Sequence, residues 1–130
     1  MPSMLIFCMV AAGCTTLQTY PGPQLPPEKV AKLEGTIHYY IIALVVSQIA
    51  FVDGKFVPWD KAEMLPAKHE VVVYLEATSP KAGNTGKFQT FSFVAEAGHV
   101  YKVDGNWNFG NNEIWITDRT TGQIVAGKKP

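Results

Sequence analysis

The chain has 130 residues, 47% of them hydrophobic, and its 11 Lys plus Arg are balanced by 11 Asp plus Glu. That length suits one domain, and the apolar and aromatic content excludes a disordered chain. The absence of any run of five like charges excludes a basic stripe for nucleic acid or an acidic tail.

The first element in chain order is an uncharged apolar stretch, Met4 to Ala12, closed by Gly13-Cys14. A segment of this size ending in small residues has the form of a secretory signal and is too short to span a bilayer as a helix. No Lys or Arg precedes it, unlike the usual signal. A buried thiol in an N-terminal element is the competing reading of Cys14, but Gly13-Cys14-Thr15-Thr16 fits no cap or strand-pairing logic.

The run Ala11-Ala12-Gly13-Cys14 resembles the lipobox of bacterial lipoproteins. The resemblance implies that residues 1–13 are a signal peptide and that Cys14, carrying lipid, is the first residue of the mature chain. Cys8 then leaves with the signal, so no thiol remains for a disulfide, a metal or nucleophilic catalysis. It implies a membrane partner too: one acyl chain binds marginally, whereas the three chains of a lipoprotein anchor stably. With Thr15 after the cysteine, the expected address in a Gram-negative cell is the outer membrane, facing the periplasm.

Residues 14–28 hold four of the nine prolines and show no apolar periodicity. They are expected to form an extended tether from the lipidated cysteine to a domain over residues 29–130. In that domain, Lys29 to Glu34 is a short strand ended by Gly35. Ile37 to Val52 follows, rich in β-branched and aromatic residues, and reads as one bent strand or two abutting ones. His38, Ser47 and Gln48 interrupt it, and sixteen residues fall short of a spanning helix. Asp53-Gly54 closes the run as a hairpin turn, because Gly accepts positive φ.

Residues 58–68 read as a loop, and His69 to Ala77 as a strand buried on both faces. Residues 78–87 read as a second loop, from their Pro, Gly, Asn and small polar content. In "FQTFSFVAE" the alternation gives a half-buried strand. A strand through Tyr101 and Val103 follows, then a loop over 105–113 rich in Asn and Gly. A hairpin over Arg119 to Gly122 ends the chain. Seven or eight short strands at this spacing predict an all-β fold, an antiparallel β-sandwich or partly closed barrel.

The order "YPGPQLPPEKVAKLEG", "IAFVDGKFV", "MLPAKHEVVVYL", "FVAEAGHVYKV", "WITDRTTGQIVAG" resembles a group of small, uncharacterised bacterial lipoproteins. Its middle part is also similar to the PEGA-type β-sandwich modules of surface and periplasmic proteins, with Ala67 where such modules usually carry Gly. The resemblance implies an anchored envelope protein with an Ig-like sandwich. It carries no catalytic residues.

The residues themselves point the same way. His38, His69 and His99 lack the spacing of a metal site and read as strand-edge histidines, so no metal or other cofactor is expected. Ser47 has no nucleophile-elbow context, and the carboxylates show no catalytic motif. Trp59, Trp107 and Phe109 fall in expected loops beside Asp60, Asn106 and Asn108. There they either fold back over the sandwich ends or contact a partner or sugar ring. The expectation is a non-enzymatic envelope interaction or structural module, or alternatively a carbohydrate- or peptidoglycan-binding module using the loop tryptophans. Its partner would be an envelope protein or a glycan.

Overall fold

Alternation governs the longest strands. In Lys68–Ser79, every second residue from His69 to Ser79 is buried, as a strand with one face on a core requires. The computed structural model describes residues 16–39, 43–58, 60–80, 83–106 and 113–128. Among them the chain forms eleven strands: β1 (Leu17–Gln18), β2 (Ala31–Glu34), β3 (Thr36–Tyr39), β4 (Leu44–Val52), β5 (Lys55–Phe56), β6 (Lys61–Met64), β7 (Lys68–Ser79), β8 (Gly83–Val94), β9 (Val100–Asn106), β10 (Glu113–Asp118) and β11 (Ile124–Gly127). One 3-10 turn, Pro27–Lys29, precedes β2. No helix among the described residues is long and apolar enough to cross a membrane.

The strands make two sheets packed as a sandwich. One has six strands in the order β1-β6-β2-β9-β10-β11; the other has five, in the order β3-β4-β7-β8 with β5 on β4. The expected all-β sandwich is therefore present, and it is not closed into a barrel. Its pairing is not wholly antiparallel, since β1 with β6 and β2 with β9 run parallel. Between the sheets, Leu33, Val45, Val71, Val73, Tyr101 and Ile114 form part of one continuous core. Each large side chain fully buried there stabilises the fold by about 1.5–3 kcal/mol before entropy is counted.

Asp53 and Gly54 both have positive φ, 49° and 80°, the hallmark of the type I′ hairpin turn that the dipeptide predicts. The apolar run from Ile37 resolves into two antiparallel strands, β3 and β4, with a bulge between Ile49 and Phe51. The closing hairpin of β10 and β11 is present, with Gly122 at φ 81°.

Three expected loops differ. Residues 58–68 contain β6, which is central in its sheet between β1 and β2. The strand is short, and its Ala and Glu have weak β-propensity, so its pattern falls below the signal of the flanking prolines. Residues 78–87 are mostly strand: β7 and β8 pair without a break from Lys68↔Val94 to Ser79↔Gly83. Cross-strand pairing there overrides loop-like composition. At the two ends of 105–113, β9 runs to Asn106 and β10 begins at Glu113, where a loop is expected.

The described part of the proline-rich stretch is bent and docked on the domain, not a free extended tether. Leu17 and Gln18 pair with Ala62 and Glu63 of β6. The Thr19 N–H and hydroxyl both donate to the Glu63 carbonyl, at 3.1 and 2.8 Å. The Tyr20 hydroxyl and the Gln24 amide donate to the Glu63 carboxylate, at 3.3 and 3.1 Å, and Tyr20 is buried. Sequence periodicity could not show this, because what holds the stretch down is pairing with β6 and the carbonyl and buried carboxylate of Glu63, 39 to 44 positions away.

Gly35 is the point where the chain crosses from one sheet to the other, between β2 and β3. Its N–H donates to the Asp60 carbonyl at 3.2 Å, and a Cβ at this position would overlap the Asp60 carboxylate. Asp60, at φ 62°, accepts a 2.7 Å hydrogen bond from the Ile49 N–H at the bulge of β4. It thus ties the crossover to the five-stranded sheet. Burial lifts its carboxyl to about 6, against the Ile49 hydrogen bond, with Glu34 adding to the rise.

A carboxyl raised on folding favours the native state while protonated. The stabilisation is present below the unfolded value near 4 and is lost as pH rises through about 6. Asp60→Asn keeps the acceptor for Ile49 and tolerates positive φ. It is expected to gain about 1–2 kcal/mol at pH 7.5, after discounting for partial exposure. It should also flatten the profile between pH 4 and 6. Urea denaturation at pH 4.5 and 7.5 checks this; equal midpoint losses at both values would refute it.

Candidate functional site

Cys14, Trp59, Trp107 and Phe109 lie outside the described residues, so their placement contributes nothing to the site. Two features among the described residues do: an outer sheet face that carries exposed aromatics among polar residues such as Gln48 and Glu76, and a pair of aspartate–histidine clusters.

Strand parity builds the outer face. In the five-stranded sheet the inward set includes Val45, Ser47, Ile49, Val71, Val73 and Leu75, which leaves the alternate residues facing away from the core. Register then aligns those residues across the strands. Ile37 stands opposite Val46, Tyr39 opposite Leu44, and Gln48, Tyr74 and Phe88 form a row. Phe56, Phe51 and Val72 form the next row. Tyr39 is 81% exposed, Phe88 65% and Phe56 63%.

Two ring pairs shape this surface. Tyr74 and Phe88 lie with centroids 4.7 Å apart, and Phe51 meets Phe56 edge-on at 6.0 Å. Gly86 gives the tyrosine its room, because any Cβ there would overlap the Tyr74 hydroxyl. A side chain without bulk in β8 is thus what lets an aromatic in β7 lie across the neighbouring strand. Contiguous exposed aromatics on one face are the surfaces that partner binding uses.

The histidines are held by separate aspartates. His69 is buried in β7, with Nδ1 at 2.5 Å from Asp53 Oδ2 and Nε2 at 2.6 Å from the Leu65 carbonyl. The Glu70 N–H donates to the other Asp53 oxygen at 2.9 Å, so the turn residue clamps its hairpin to β7. Burial alone would raise the Asp53 carboxyl, but the His69 and Glu70 hydrogen bonds outweigh it and hold the group below its ordinary value. The Leu65 contact is the local hydrogen bond that the sequence suggests for a histidine at the start of a strand, whereas the Asp53 contact comes from sixteen residues away.

His99 stands just before β9, with Nδ1 at 2.7 Å from Asp118 Oδ2 and 3.4 Å from Glu96 Oε2. Asp118 is 3% exposed, and its Oδ1 accepts the N–H groups of Thr120 and Thr121 at 2.9 and 3.4 Å. Burial pushes this carboxyl up, and the bonds from His99 and the two amides bring it below the usual range. The same Asp118 contact raises the His99 imidazole against a small burial effect, with help from Glu96. The turn carrying Glu96 and His99 is fixed on several sides. Glu96 N–H donates to the Tyr101 hydroxyl at 2.9 Å, Gly98 N–H to the Val30 carbonyl at 2.8 Å, and Lys32 N–H to the His99 carbonyl at 3.0 Å.

Ser47 is sealed in the core, its hydroxyl without a hydrogen-bond partner among the described residues. The side chain of His38 lies outside them. The outer face escaped the sequence reading because its residues come from five strands. Only the strand register, and not any motif, brings Ile37, Phe56, Tyr74 and Phe88 onto one surface. The "EAGH" turn meets Asp118 for the same reason, nineteen residues later along the chain. Comparison with protein-family models, with curated proteins and with solved structures returns no significant match.

Proposed function

We propose that this protein is a bacterial envelope lipoprotein, anchored by lipid on Cys14 and facing the periplasm from the outer membrane. Its β-sandwich acts as a non-enzymatic module that binds another envelope component. The observation that carries the binding role is the outer face of the five-stranded sheet, where Tyr39, Phe56 and Phe88 are exposed beside Ile37 and Tyr74. Exposed aromatic rings of this kind gain free energy by being covered. The anchor rests on the apolar stretch and the Ala11-Ala12-Gly13-Cys14 run.

Two experiments test the two halves. Cys14→Ser is expected to move the protein from the membrane fraction to the soluble or precursor fraction; an unchanged membrane fraction overturns the anchor. Phe88→Ser combined with Phe56→Ser is expected to abolish crosslinking in cells to the bound component. Each ring is exposed but packs on a neighbouring ring, so each change should cost about 0.5–1.5 kcal/mol, and a thermal melt of the variant separates that loss from lost binding. An unchanged crosslinking pattern would remove the face from the function.

A second reading, a carbohydrate- or peptidoglycan-binding module, is favoured by the Tyr74–Phe88 pair with Gln48 beside it in the same row. Sugar rings stack on such aromatics while amides bond their hydroxyls. Silence of the protein across a panel of glycan fragments would dismiss this reading.

A further inference from the structure

We propose that Glu96, His99 and Asp118 form a binding site for a divalent transition-metal ion of the zinc class. Their three donor atoms, one imidazole nitrogen and two carboxylate oxygens, all lie within 4.8 Å of one another. This mixed nitrogen and oxygen set suits Zn2+ and its neighbours better than Ca2+ or Mg2+, which favour oxygen alone.

The spacing supports it. Ligands about 2.1 Å from a tetrahedral centre stand about 3.4 Å apart. His99 Nδ1 and Glu96 Oε2 already have that separation, 3.4 Å. His99 Nδ1 and Asp118 Oδ2, at 2.7 Å, have the shorter spacing of a proton-bridged pair and must open by about 0.7 Å. Nδ1 carries at most one hydrogen, which satisfies one carboxylate fully and the other poorly. A dication between the three donors satisfies both carboxylates at once.

Rigidity and access support it too. Asp118 is buried and fixed through Oδ1 by two backbone amides, which leaves Oδ2 directed at the site. The backbone of the opposing turn is held by Tyr101, Val30 and Lys32. Donors on backbone that is already ordered lose little entropy when an ion arrives. The Glu96 side chain is 65% exposed and that of His99 22%, so an ion can enter from solvent and keep water on its open positions.

The site does not depend on the lipid anchor or on the aromatic face, and its test is separate from theirs. Full-length protein is titrated with Zn2+ alone by calorimetry, and with Co2+ as a spectroscopic substitute. The expected result is one ion per chain, with a raised thermal midpoint that EDTA reverses. Glu96→Gln and His99→Ala are each expected to weaken binding by roughly 100-fold, the upper end of what losing even an outer partner of a metal ligand costs. Glu96 is exposed, so the metal-free Glu96→Gln chain should melt like the parent. Asp118→Asn adds a third arm and is interpreted only if it folds.

Because a cysteine thiolate also ligates zinc, the titration is repeated with Cys8 and Cys14 both changed to Ser, and binding should persist. No saturable binding, binding unchanged in both Glu96→Gln and His99→Ala, or binding that vanishes with the cysteines would each overturn the proposal.

Discussion

Tyr101→Ala is expected to lower the unfolding free energy by about 3–5 kcal/mol, the range for removing a large aromatic from a packed core. Domains of this kind have about 5–15 kcal/mol in total, so the variant should unfold near physiological temperature or at low urea. The reason is the double duty of this side chain. It is 1% exposed, with its ring centroid 4.9 Å from that of Phe93, which bridges the six-stranded sheet to the five-stranded one. Its hydroxyl also accepts the Glu96 N–H and so holds the turn before β9. Tyr101→Phe separates the two roles, because it keeps the ring and loses about 1 kcal/mol for one hydrogen bond. If the alanine variant lost no more than the phenylalanine variant, the ring would not be a core member.

Gly127→Ala should also be costly, by about 2–3 kcal/mol, through two effects that a sister substitution separates. Gly127 has φ 76°, a region where a Cβ adds roughly 1–2 kcal/mol. Gly122 shares that conformation at 81° but faces open space, so Gly122→Ala measures backbone strain alone. At Gly127 the Cβ would in addition strike the Ile114 carbonyl and come within 2.7 Å of Trp115 Cα. The chain can relieve this only by lifting β11 from β10. Hydrogen exchange should therefore quicken along Ile124–Gly127 in Gly127→Ala and stay slow in Gly122→Ala. Equal effects in the two variants would show that the close approach carries no weight.

How much of this was legible in the sequence depended on whether a feature is local. The Asp53-Gly54 turn needs only its own two residues and could be read directly, whereas the run Val71-Val72-Val73 hides the alternation of β7 and made a strand with one buried face read as buried on both. The sandwich itself followed from such strands and turns. β6 was missed because four residues with Ala and Glu between prolines carry little local preference, and its neighbours β1 and β2 supply the pairing that makes it a strand. The Thr78 to Lys87 stretch was missed for a related reason: hairpin pairing extends past the point where the composition changes.

The candidate sites were less legible still. His69 meets Asp53 sixteen residues away, and His99 meets Asp118 nineteen away. Such spacings follow from strand lengths and turn geometry and match no ligand motif. The aromatic face likewise exists only once five strands are in register. Trp59, Trp107 and Phe109 stood out in the sequence because their stretches read as loops, beside Asp60, Asn106 and Asn108, whereas Phe56, Tyr74 and Phe88 were hidden among ordinary strand residues.

The docking of residues 17–25 against β6 has a consequence for reach. An extended chain advances at most about 3.6 Å per residue, so a free tether from Cys14 to Glu28 would let the domain roam about 50 Å from its anchor. With Leu17 and Gln18 already in the sheet, the three steps from residue 14 to residue 17 span at most about 11 Å. Under an anchor at Cys14, the sandwich is leashed close against the bilayer, with the β1 edge of the six-stranded sheet nearest the lipid. Lengthening that leash would require β1 to part from β6, with Thr19, Tyr20 and Gln24 released from Glu63.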